Sequence, residues 1–67
     1  MKSREFESKM DIIVSALKER GYDPYIQLLG YITEKNASYI TSKNNARELI
    51  QALDFDMVKQ YVKDMKG

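Results

Sequence analysis

The chain has 67 residues, eleven basic and ten acidic side chains, no histidine and no cysteine. That inventory excludes disulfides and Cys/His zinc sites, and it removes the commonest general base and the strongest nucleophile of enzymes. A net charge of +1 is not the footprint of a protein whose main work is neutralising phosphates.

A chain this short is one domain, residues 1–67, that buries only about 60% of the surface its unfolded form exposes. Small scaffolds compensate with disulfides, a metal or a partner chain, and with the first two gone, a homodimer is expected. The absence of cysteine suits a reducing compartment. No apolar run approaches the ~20 residues that span a bilayer, and the start MKSREFESKM has no signal-peptide core. The expectation is a cytoplasmic protein without membrane insertion.

Residues 4–20 read as the first helix. Phe6, Met10, Ile13, Val14 and Leu17 recur at helical spacing, and Ile12 and Ala16 widen the stripe. Lys18 and Arg20 suit its C-terminal end, and Gly21 supplies the left-handed residue that closes it. Asp23 then caps a second helix with Pro24 at its first position, where a missing amide costs nothing. Tyr25, Leu28, Leu29 and Ile32 are its predicted inward face, with Ile26 on the flank. Gly30 costs roughly 1 kcal/mol relative to alanine inside a helix, so it marks close helix packing or a dimer contact.

Thr33 to Ser38 read as a polar loop, and Tyr39 and Ile40 as apolar anchors just outside a third helix capped by Thr41 or Ser42. Ala46, Leu49, Ile50 and Leu53 form that helix's buried face. Asp54 caps a fourth, whose stripe is Phe55, Val58, Tyr61, Val62 and Met65. The predicted fold is all-α: about four short amphipathic helices in a small, helix-turn-helix-like bundle.

Few residues suggest chemistry. Asp54 and Asp56 are explained by capping and solvation, and there is no P-loop, dinucleotide-binding glycine pattern or calcium loop. No cofactor, metal or catalytic residue is expected. The five tyrosines fit half-buried packing better than a base-stacking platform. Helices three and four could form a nucleic-acid-binding helix-turn-helix, the alternative function. However, a recognition helix led by Asp54-Phe55-Asp56 would present carboxylates to the groove, so nucleic acid is disfavoured. Residues 35–53 are mildly basic, and Lys43 and Arg47, four apart, are expected on one face of helix three, with Lys35 nearby. That face suits an acidic surface on a protein client. A purely structural assembly subunit is the third reading.

The blocks ALKERGYDPYIQLLGYI and ASYITSKNNARELI, followed by a closing helix, resemble the small IreB/ReoM family of Gram-positive bacteria. Ala16, Leu17, Gly21, Tyr22, Pro24, Gln27, Leu29, Gly30, Tyr31, Tyr39, Ile40, Ala46, Arg47 and Ile50 carry the resemblance across residues 12–62. It implies a cytoplasmic, helical, dimeric protein without catalytic activity, controlled by phosphorylation below a membrane Ser/Thr kinase with extracellular PASTA domains. The implied output is cell-wall synthesis and antibiotic tolerance. In some species this works through Clp-dependent proteolysis of the enzyme that commits precursors to peptidoglycan.

The chain departs from the family's pattern in three places. The modified threonine of the family lies in an N-terminal tail, whereas the first threonine here is Thr33 and the only early hydroxyls are Ser3 and Ser8. Either a tail was lost or removed, or this relative stands outside kinase control. Thr41, Ser42 and Lys43 replace a Pro-Arg-His run, and Gln51 replaces a basic residue. Of the basic helix face, only Arg47 carries over.

Overall fold

The computed structural model describes residues 4–66, the side chain of Lys66 excepted; Ser3 lies outside them. Four α-helices follow in order: α1 (Arg4–Glu19), α2 (Pro24–Glu34), α3 (Ala46–Ala52) and α4 (Phe55–Lys66). Two single 3-10 turns, Ala37–Tyr39 and Lys43–Asn45, lie between α2 and α3. No strand occurs among the described residues. The all-α expectation holds.

α1 ends as its sequence predicts. Gly21 takes φ +84°, its amide donates to the Lys18 carbonyl at 3.0 Å, and the Tyr22 amide donates to the Leu17 carbonyl at 3.0 Å. These two bonds close the last turn and satisfy carbonyls that would otherwise be orphaned. The Asp23 carboxylate then accepts from the amides of Tyr25 (2.9 Å) and Ile26 (3.2 Å). One helix therefore stops and the next starts within four residues, 20–23.

Phe6, Met10, Ile13, Ala16 and Leu17 of α1 are buried. They meet Leu28 and Tyr31 of α2, Ala46 and Ile50 of α3, and Val58 and Val62 of α4 in one core. α1 packs on α3 and α2, and α2 packs on α4. Two aromatic contacts fasten α4. Tyr61 meets Phe6 edge-on at 6.1 Å, and Phe55 meets Tyr31 at 5.8 Å. Such pairs add about 0.5–1.5 kcal/mol beyond the area they bury. The Cα radius of gyration is 10.6 Å, close to the ~11 Å of a compact chain of this length. The core thus closes within one copy.

The structure corrects four expectations. Leu29 is 38% exposed rather than inward; it lies about 100° round the helix from Leu28, beyond the face that α1 and α4 cover. Ile12 (44%) is exposed for the same reason, at the margin of its stripe, and Met65 (38%) because it lies in the last turn of α4. The third helix also starts later than its polar cap signals imply. Ser42 makes no side-chain cap bond to the 3-10 turn it precedes. Asn44 (φ 55°) and Asn45 (φ 61°) are both left-handed, a conformation asparagine tolerates better than most residues. Regular α-helix begins only at Ala46.

Gly30 faces the ring of Tyr39: a Cβ at position 30 would lie 2.6 Å from both Cδ1 and Cε1. Gly30→Ala should therefore destabilise the protein by about 1–3 kcal/mol through overpacking. In a Tyr39→Ala background the same change should stabilise by roughly 1 kcal/mol, the helix propensity of alanine over glycine. Urea denaturation of the four proteins measures both; an equal effect in the two backgrounds would remove the ring from the account.

Candidate partner-binding surface

Residues 35–45, which connect α2 to α3, are built from caps and short turns. Lys35 ends α2 in the left-handed region at φ 53°. The Asn36 side chain accepts from the Ser38 amide at 3.0 Å, and the Thr41 hydroxyl accepts from the Lys43 amide at 3.2 Å. Between these turns Tyr39 and Ile40 reach the helices. Ile40 is wholly buried, so its neighbouring backbone polar groups need partners inside the protein.

Side chains from two helices supply them. Gln27 Nε2 of α2 donates to the Tyr39 carbonyl at 3.0 Å, and Arg47 Nε of α3 donates to the Ile40 carbonyl at 2.9 Å. The Tyr39 ring lies over Gly30, and its hydroxyl donates to Glu34 Oε2 at 3.2 Å. Gln27, Gly30 and Glu34 thus form one stripe of α2, at i, i+3 and i+7, that receives a single tyrosine. The sequence reading missed Gln27 and Glu34 as members of this clamp. Their shared helical face with Gly30 was the available signal.

Lys43 and Arg47 do not share a helix face. Lys43 opens the second 3-10 turn, and the two left-handed asparagines separate it from α3, so helical spacing does not relate the pair. Both side chains are nevertheless exposed. Arg47 lines a shallow cavity of about 170 Å³ together with Ser42, Asn45 and Glu48. Asn44 Nδ2 donates to Glu19 Oε2 of α1 at 3.4 Å, which ties the turn to the first helix. Lys35 is engaged elsewhere, its ammonium 5.9 Å from the centre of the Phe55 ring. No helix among the described residues is long and apolar enough to cross a membrane.

The sequence profile of the IreB regulatory phosphoproteins matches residues 1–64. The chain belongs to that family. A UPF0297 protein of Clostridioides difficile is 40% identical over 53 residues, covering 79% of this chain and 62% of that protein. One from Lachnoclostridium phytofermentans is 43% identical over 49 residues, 73% of this chain and 56% of the relative. One from Ruminiclostridium cellulolyticum is 42% identical over 62 residues, 88% of this chain and 69% of the relative. The chain thus spans between 56% and 69% of the length of these relatives. No solved structure matches it. Within the IreB resemblance, Gly21, Gln27, Gly30, Tyr39, Ile40 and Arg47 now have structural work: they close α1 and hold the connector. Arg47 is bound by that work through Nε, the bond given above being its one side-chain hydrogen bond among the described residues.

Two tyrosines titrate above their ordinary range. The Glu34 carboxylate beside Tyr39 raises its phenol pKa by charge, then by accepting its hydrogen bond, with burial adding to both. Burial alone raises Tyr31. In each case the folded chain holds its proton where the unfolded phenol, near pKa 10, has begun to lose it. The stabilisation is complete below pH 10 and lost as pH climbs through the raised values. Thermal melting should therefore fall progressively above about pH 10, and Tyr39→Phe should flatten part of that decline. An identical alkaline slope in parent and variant would exclude Tyr39 from it.

Proposed function

We propose that this chain is a non-enzymatic regulator that acts by protein–protein contact in the cytoplasm, in a pathway that runs from a PASTA-type Ser/Thr kinase to cell-wall synthesis. Its membership of a family of regulatory phosphoproteins supports a regulatory role. The observation that carries the contact reading is the exposed basic edge of Lys43 and Arg47. Arg47 is fixed through Nε to the Ile40 carbonyl, which leaves its terminal nitrogens for an acceptor on another molecule. A guanidinium held this way loses little freedom on meeting a carboxylate. The client is a protein with an acidic surface, and the enzyme that commits precursors to peptidoglycan is the one whose turnover is to be followed.

Lys43 is the better residue for the test, because its side chain makes no hydrogen bond or ion pair among the described residues. Lys43→Glu should leave the melting temperature unchanged and weaken client binding roughly tenfold, ~1.4 kcal/mol. In cells, the half-life of that enzyme should shorten when the parent chain is present and recover with the variant. A half-life indifferent to the chain would overturn the pathway.

The proposed assembly is a homodimer. Ile26 (56% exposed) and Leu29 (38%) lie one turn apart on α2, outside the core, with Tyr22 (48%) at the turn before them. Sedimentation across a concentration series should give the mass of two chains at low micromolar concentration, and Ile26→Glu should halve it. A single-chain mass for the parent would end the dimer proposal.

A further inference from the structure

The serine and threonine hydroxyls of the described residues differ in how they are held. Ser8 and Ser15 lie in α1 and Thr33 in α2. Ser38 lies in the first 3-10 turn, its amide bound to Asn36. Thr41 is half-buried and its oxygen accepts from the Lys43 amide. Ser42 alone among them is exposed, lies outside every helical segment and makes no side-chain cap bond. Phosphoryl transfer needs an acceptor oxygen in line with the γ-phosphorus and beside the kinase's base. A hydroxyl inside a helix meets that geometry only after local unwinding, and Ser42 requires none.

We propose that Ser42 is a phosphoacceptor and that Arg47 receives its phosphate. In the transfer, a bond forms between Ser42 Oγ and the γ-phosphorus of a nucleoside triphosphate. The bond to the bridging oxygen breaks, the diphosphate leaves with its electron pair, and the hydroxyl proton passes to the kinase's base. The product oxygens enter the cavity that Ser42 shares with Asn45, Arg47 and Glu48. A phosphoserine carries roughly −1.5 to −2 charge at neutral pH and three acceptor oxygens. The terminal nitrogens of Arg47 match two of them in a fork, the stronger kind of charge-assisted bond. The Asn45 amide is a further donor, and Lys43 adds positive charge from the adjacent position. Glu48 is the opposing group on the cavity wall, and Glu19 approaches the same turn through Asn44.

Two consequences follow from the geometry. A phosphate in this cavity draws on the same guanidinium that holds the Ile40 carbonyl, so modification is coupled to the connector between α2 and α3. It also neutralises most of the positive charge of the Lys43–Arg47 edge, which would release an acidic client; this second consequence rests on the function proposed above, and the tests of the site do not use a client.

The chain purified from the cells that make it should carry phosphate on Ser42 when its tryptic peptides are mapped by mass spectrometry. Phosphate absent, or confined to other hydroxyls, overturns the site. The full chain carrying phosphoserine at position 42 should then show, by phosphorus-31 NMR, a second phosphate ionisation below its ordinary value near 6. Arg47→Gln should return it towards that value. Glu48→Gln, which leaves the Ile40 clamp intact, should lower it further and decides the matter if the arginine variant does not fold. An ordinary ionisation that ignores Glu48→Gln and every folded Arg47 variant removes Arg47 as the receiver.

Discussion

The structure depends on how two consecutive backbone carbonyls, those of Tyr39 and Ile40, are paired. Ile40 must enter the core for α3 to close over α1, and that draws the adjoining backbone out of water. A carbonyl left without a donor there would cost about 1–3 kcal/mol, and two would rival much of the net stability of a domain this small. Gln27 from α2 and Arg47 from α3 each supply one donor. Because the donors come from different helices, satisfying the connector also sets the two helices' separation. The connector is therefore a joint with a defined geometry.

α2 shows how a short helix can serve three neighbours. Leu28 and Tyr31 face the core, and Gln27, Gly30 and Glu34 receive Tyr39. Ile26 and Leu29 are left to solvent. The glycine is needed because an aromatic ring occupies the space of its side chain, and the tyrosine is needed because its hydroxyl reaches Glu34. Each choice makes sense of another, the mutual consistency that marks a sequence with one preferred structure.

The same joint bears on the regulation proposed above. Arg47 belongs to the fold through Nε and to the surface through its terminal nitrogens, so whatever engages the surface end acts on the connector as well. The neighbouring turn of left-handed asparagines places Ser42 and Lys43 outside the regular helix, both exposed, with Ser42 lining the Arg47 cavity. In the regulation proposed above, a charge change at this point acts on the connector.

Local signals along the chain were sufficient for the four helices, the Gly21 stop, the Asp23 and Asp54 caps and most of the core. Each is decided by neighbours within a turn or two, through periodicity, φ preference and cap hydrogen bonds. Lys43 and Arg47 were legible as a basic pair, but their placement on one helix was not, because two left-handed residues interrupt a stretch whose composition is compatible with helix. Tertiary structure alone decided that Leu29 stays outside while Tyr31 is buried, since both lie near the margin of an apolar arc and only the position of α4 selects between them. It also decided the partner of Gly30, for a helical glycine announces a close approach without naming what approaches. The clamp's face could be read but not its pairings, for the same reason: Gln27 and Arg47 meet carbonyls 12 and 7 residues away, and such pairings exist only after the helices have packed.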